Sequence, residues 1–106
     1  MEIVLVGLNH RSAPVEVRER VSFTADQARQ AAEELRTRGI LHETLVLSTC
    51  NRSEVYGVPP ESIRESAAAL SSYLSSFHSV HLDLLTPSLY HQYDRQAVRH
   101  LFRVRL

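Results

Sequence analysis

The chain has a single cysteine, Cys50, in the run Ser48-Thr49-Cys50-Asn51-Arg52, where an apolar stretch stops and a polar one begins. Arg52 follows two residues later, so extended backbone puts its guanidinium on the same face as the thiol. A neighbouring guanidinium lowers a thiol pKa, and the thiolate is the nucleophile. The backbone N–H groups of a turn at this point could form an oxyanion pocket. Two blander readings stand beside this one. A lone cysteine is most often a small buried hydrophobe. Arg52, for its part, has a simple surface partner in Glu54, on the same face of the strand.

Other residue types close off several chemistries. Three glycines, at 7, 39 and 57, cannot make a G-x-G-x-x-G or phosphate-binding loop, which excludes a known glycine fingerprint for nucleotides. Of six histidines only His78 and His81 are close in sequence, without carboxylate company, so no metal is expected. One cysteine excludes an internal disulfide and fits a reducing, cytoplasmic compartment. Twelve arginines, with no lysine, balance twelve acidic residues, leaving no overall field to recruit nucleic acid or membrane. The apolar run near the N-terminus is too short for a signal peptide, and no segment is long enough to span a membrane. An apolar content of 43% with 23% charge is ordinary for a globular fold.

The elements that would hold Cys50 follow from periodicity. At 106 residues the chain forms one domain, 1–106. Residues 2–8 read as a strand that is apolar on both sides, followed by a connection with a turn near Pro14 and one helical turn after it. Thr24 and Gln27 form a capping box opening a helix over 24–38, with Ala28, Ala31, Ala32 and Leu35 as its buried stripe and Gly39 ending it. Residues 43–48 and 53–58 read as two strands of an antiparallel hairpin with Cys50 at its tip. A second helix is expected over 60–77, with Pro60 in its first turn, a stripe of Ile63, Ala67, Leu70, Leu74 and Phe77, and serines facing solvent. Residues 88–93 make a fourth strand. Asp94 is expected to cap a last helix whose apolar arc runs through Val104, Ala97, Leu101, Val98 and Phe102, with His100 just outside it. This order predicts a ferredoxin-like α+β fold, βαββαβ: a four-stranded antiparallel sheet with helices on one face and an appended C-terminal helix. The doubly apolar first strand predicts that the other face is covered as well.

The segments GLNHRSAPVEVRERVSF, LSTCNRSEVY and HLFRV together resemble the N-terminal catalytic domain of glutamyl-tRNA reductase, from residue 3 to about residue 104. The resemblance implies an oxidoreductase of tetrapyrrole (5-aminolevulinate) biosynthesis. In that family the cysteine matching Cys50 attacks glutamyl-tRNA, releases the tRNA and holds glutamate as a thioester, which hydride from NADPH reduces to glutamate-1-semialdehyde. It further implies that Arg52 clamps the substrate γ-carboxylate and that Thr49 and Asn51 bind substrate or shape the tip. Arg11 is a second candidate for the substrate or the tRNA end, beside its reading as a surface loop arginine. His100 matches a position important for activity, and is expected to face the same pocket as Cys50 and to protonate the departing tRNA oxygen or orient the carbonyl. Glutamate-1-semialdehyde aminomutase is an implied partner of the full-length enzyme, for which alone a dimer is expected.

The family continues after HLFRV with a GLDS-like stretch, a spinal helix, an NADPH domain and a dimerisation domain. This chain reads HLFRVRL and stops, so it is expected to bind no NADPH and to lack one wall of the glutamate pocket. A non-catalytic ferredoxin-like module that binds a ligand or partner remains an alternative, as does a redox-sensing thiol served by a partner's cysteine.

Overall fold

The computed structural model describes residues 2–104. Along the chain run β1 (Val4–Asn9), α1 (Val15–Arg20), α2 (Ala25–Thr37), β2 (Glu43–Thr49), β3 (Arg52–Val58) and α3 (Ile63–His78), then α4 (Leu82–Leu85) leading into a 3-10 turn (Thr86–Ser88), β4 (Tyr90–Tyr93) and α5 (Asp94–Arg103). The strands form one sheet in the order β2-β3-β1-β4, and every neighbouring pair is antiparallel. This is the ferredoxin-like arrangement expected from the element order. α4 and the 3-10 turn carry the chain from α3 back to the sheet edge, through a stretch where the pattern predicts no element before residue 88; the turn includes Ser88, so the strand expected from 88 starts at Tyr90.

The sheet divides the core into two layers. Val4, Val6, Leu8 and Val55 point to one face and pack with Ala31 and Leu35 of α2 and Ala67, Leu70 and Leu74 of α3. Leu5 and Tyr56 point to the other face and meet Ala97 of α5, with Ile3, Leu47, Tyr90 and Leu101 around them. Both sides of β1 are therefore buried. Full burial of a leucine such as Leu35 or Leu70 contributes about 1.5–3 kcal/mol.

Capping fixes where the long helices begin. Thr24 Oγ1 accepts the Gln27 N–H at 3.1 Å while the Gln27 side chain accepts the Thr24 N–H at 2.9 Å, so the capping box forms as read. α3 starts at Ile63 rather than at Pro60, because Ser62 Oγ accepts the Glu65 N–H at 3.3 Å and becomes its cap. Two of its serines are buried, against the expectation that they face solvent. Ser66 Oγ donates to the Ile40 carbonyl, and Ser71 Oγ donates to the Ala67 carbonyl and lies 2.9 Å from His91 Nε2. A hydroxyl satisfied in this way is tolerated inside. Asp94 does not cap α5 either. Its carboxylate accepts the Ile3 N–H at 2.9 Å while its own N–H donates to the Ile3 carbonyl at 2.7 Å, and its φ of 53° is left-handed, a conformation that Asp tolerates.

His78, at the end of α3, packs edge-on against Phe23, with ring centroids 4.4 Å apart, and its buried Nε2 has no hydrogen-bond partner among the described residues. Burial lowers its pKa below the ordinary 6.5. The unfolded chain then takes up a proton on this residue before the folded chain does. Stability should fall as pH drops below about 6.5 and flatten once the folded imidazole also protonates. Urea unfolding at a series of pH values should show this slope. His78→Phe should reduce it, and an unchanged slope in that variant would assign the acid loss elsewhere. Glu34 acts in a lower window, because the Tyr73 hydroxyl 2.5 Å from it, followed by Gln30 and Arg38, depresses its pKa below 4.5.

Candidate active site

Thr49 pairs with Arg52 as the last rung of the β2–β3 ladder, so Cys50 and Asn51 alone make the turn. Neither has a positive φ, which excludes the primed turn types usual for two-residue hairpins. Thr49 Oγ1 instead steadies the turn by accepting the Asn51 N–H at 3.2 Å. Cys50 and Asn51 are exposed, at the end of the second strand. The thiol is thus outside the core.

Beyond the turn, β3 alternates faces, and Arg52, Glu54 and Tyr56 all point toward α5. Glu54 is completely buried, yet every one of its contacts is with a donor. The Tyr56 hydroxyl donates to Oε1 at 3.0 Å. On Oε2 converge the Tyr90 hydroxyl, His100 Nε2 at 2.5 Å and Arg52 Nη1 at 3.3 Å, and Arg52 Nη1 also lies 3.4 Å from His100 Nε2. The Arg52–Glu54 pair considered for the surface does exist, but below it: the arginine side chain is 14% exposed. Burial first, and then the Glu54 carboxylate, push the Tyr56 and Tyr90 phenols well above their ordinary pKa, so both remain donors at any working pH.

Gly7 makes room for this cluster. It faces Glu54 across the β1–β3 ladder, and a Cβ there would stand 2.8 Å from Glu54 Cγ and 2.8 Å from the Ser53 carbonyl oxygen. Any larger residue would displace the carboxylate or the strand that carries it.

The remaining wall comes from α5. The apolar arc read from the sequence is rotated in the structure: Ala97 and Leu101 face the sheet, while Phe102 is 85% exposed. The buried arc extends instead to His100, because Glu54 offers its imidazole a polar partner below the helix. Beside it a pocket of about 330 Å³ is lined by Asn9, His10, Arg11, Arg52, His100 and Arg103. Arg11 is presented by the loop after β1, where Asn9 Oδ1 accepts the N–H groups of Arg11 and Ser12. The pocket is strongly cationic, suited to an anionic ligand. Of the residues singled out from sequence, Arg11, Arg52 and His100 meet here. Cys50, Thr49 and Asn51 do not line this pocket and stand at the neighbouring turn. Among the described residues no three His, Cys, Asp or Glu side chains could converge on a metal ion.

Sequence reasoning missed Glu54, Tyr56 and Tyr90 as site residues. A signal was available: a carboxylate between Ser53 and Val55, in a strand of a sheet covered on both faces, has to find donors inside.

The fold and site define a ferredoxin-like α+β domain with a thiol-bearing hairpin turn next to a buried carboxylate–imidazole–guanidinium cluster. Residues 6–106 match the family described as "Glutamyl-tRNAGlu reductase, N-terminal domain". The chain belongs to this family, whose members are named for an enzyme, a tRNA-dependent oxidoreductase. Glutamyl-tRNA reductase of Colwellia psychrerythraea is 43% identical over 98% of this chain and 25% of its own length. That of Paenibacillus macerans is 46% identical over 98% of the chain and 24% of its own. The solved glutamyl-tRNA reductase from Methanopyrus kandleri superposes with a TM-score of 0.65 at 30% identity, covering 96% of this chain and 21% of that one. The chain thus spans about a quarter of the length of the curated relatives it matches.

Proposed function

We propose that Cys50 is the nucleophile that takes the glutamyl group from glutamyl-tRNA. Its thiolate attacks the ester carbonyl carbon, a C–S bond forms, the C–O bond to the tRNA breaks, and the departing oxygen leaves as a hydroxyl once protonated. Glutamate stays on the enzyme as a thioester. The observation that carries this reading is an exposed thiol on a two-residue turn, followed immediately by the arginine that enters a cationic pocket.

The α-carboxyl of glutamate reacts, which leaves the γ-carboxylate for recognition. Arg52 engages Glu54 through Nη1, and a guanidinium has five N–H donors in all, so others remain for a second carboxylate. Arg11 provides a further positive charge on the same pocket. Thr49 and Asn51 hold the tip that presents the sulfur. His100 serves the departing oxygen or the carbonyl from the pocket wall.

In the complete enzyme NADPH would supply the hydride that reduces the thioester to glutamate-1-semialdehyde, at the start of tetrapyrrole synthesis. This chain does not fit that cofactor: its three glycines lie in β1, after α2 and in β3, and no glycine-rich phosphate loop opens a helix among the described residues. Its own share of the reaction is thioester formation. Dimerisation, a handover to the aminomutase and a cytoplasmic setting belong to the same proposal for the complete enzyme. No helix among the described residues is long and apolar enough to cross a membrane.

Mass spectrometry after mixing the protein with glutamyl-tRNA tests the reading. The Cys50 peptide should gain the mass of one glutamyl group, and the adduct should be released by hydroxylamine. An unmodified Cys50 at complete consumption of the aminoacyl ester would overturn it.

A further inference from the structure

We propose that the outward face of α5 carries the tRNA strand that leads away from the reacting ester: Arg95, Arg99 and Arg103 meet successive phosphates, and Phe102 beside them stacks on a base. The inference rests on the reading of glutamyl-tRNA as the substrate, a reading that leaves the nucleotides beyond the ester without a surface.

Spacing puts these side chains together. Four residues of a helix rise about 6 Å and complete little more than one turn, so the three arginines form one ridge about 12 Å long. All three are exposed. Phe102, three residues after Arg99, lies on the same side of the helix, while Ala97 and Leu101 face the sheet. The Phe102 ring is 85% exposed and belongs to neither layer of the core. An aromatic ring held in water among guanidinium groups matches single-stranded nucleic acid, whose backbone needs positive charge and whose bases offer a stacking face.

The charge of this face is local, since the whole chain has a formal net charge of zero. α2 shows the contrast. There Arg29 pairs with Asp26 and Arg36 with Glu33, and Arg38 just beyond the helix pairs with Glu34. Arg95, Arg99 and Arg103 form no ion pair among the described residues. The one acid on α5, Asp94, has its carboxylate on the Ile3 N–H. A polyanion is the partner that three unneutralised arginines in a row complement.

The ridge also has a direction. The first turn of α5 is fastened beside the start of β1, where Asp94 exchanges hydrogen bonds with Ile3. Its last turn reaches the end of β1, where Arg103 lines the cationic pocket with Asn9, Arg11, Arg52 and His100. Cys50 stands on the turn that leads into Arg52. Glutamate in this pocket therefore sets the ester near Arg103, and the preceding nucleotides run along the helix past Arg99 to Arg95.

Fluorescence anisotropy of labelled, uncharged tRNA for glutamate tests this surface without any chemistry at Cys50. Binding to this protein should be saturable at low salt. The double variant Arg95→Gln/Arg99→Gln leaves the pocket residues in place; it should weaken binding about tenfold and flatten the dependence of log affinity on log salt by about 0.7 for each arginine removed. Phe102→Ala should weaken binding with that slope unchanged. In adduct formation on Cys50, the double variant should raise the glutamyl-tRNA concentration at half-maximal rate by the same factor and leave the saturating rate unchanged. A phosphate-free glutamyl ester of adenosine should react equally well with both proteins. No binding of tRNA by the unsubstituted protein, an affinity within about twofold in the double variant, or an equal loss with the adenosine ester would overturn the proposal. So would tighter binding to vesicles of anionic phospholipid that the same substitutions remove. If Cys50 took up no glutamyl group while the double variant still lost tRNA, the nucleophile would be misassigned and the α5 surface would stand.

Discussion

Cys50→Ser should abolish capture of the glutamyl group while leaving the fold intact. An alcohol is not ionised near neutral pH, and an oxyester formed on the substituted side chain would be no more activated than the ester it replaced, so neither step of the transfer would be favoured. The expected loss is at least about a thousandfold in the rate of adduct formation, the scale seen when an activated nucleophile is removed. Stability should change by no more than about 0.5 kcal/mol, because the side chain sits on an exposed turn and has no hydrogen-bond partner among the described residues. Mass spectrometry and urea unfolding of the same preparation check both halves. A variant that still carried a glutamyl group on another residue, at the wild-type rate, would move the nucleophile away from Cys50.

The second large effect is expected at Glu54 and falls on the fold itself. Glu54→Leu removes the acceptor for a buried phenol, a half-buried phenol, a half-buried imidazole and a guanidinium at once. Breaking a buried ionic cluster from one side typically costs about 3–5 kcal/mol, since the remaining groups stay desolvated without partners. That is a large fraction of the roughly 5–15 kcal/mol that holds a domain of ordinary stability together. Urea unfolding should therefore show a midpoint shifted well below that of Cys50→Ser. A loss under about 1 kcal/mol would mean that water replaces the carboxylate in the cluster, and that Glu54 matters for the site rather than for the fold.

Much of this architecture was legible from residue order. Local signals placed the elements: the Thr24–Gln27 capping box, the stripe from Ile63 to Phe77 and the alternation of β3 each depend on neighbours within a few positions. The misreadings also have local causes. Pro60 is compatible with a first helical turn, yet Ser62 caps α3 more effectively because its hydroxyl satisfies a free N–H. Asp94 has the chemistry of a cap, but the Ile3 N–H just before β1 claims its carboxylate first. On α5 an apolar count favoured Phe102 over His100, and no property of the helix alone could correct the rotation.

The sequence by itself determined that Cys50 stands at the tip of an antiparallel hairpin with Arg52 behind it, because strands 43–48 and 53–58 are separated only by the few residues around Cys50, too few for a parallel crossover; the structure narrowed the turn to Cys50 and Asn51. It determined the ferredoxin-like order, since β-period and helix-period stretches alternate along the chain. Only the tertiary structure decided what Arg52 touches. Glu54 meets Tyr90 across 36 positions and His100 across 46, through the pairing of β1 with both β3 and β4 and the seating of α5 on the sheet. Those contacts depend on sheet order, on strand register and on a glycine opposite the carboxylate. A buried charge has to recruit its donors from wherever the fold brings them within reach, and in this chain they come from the far end.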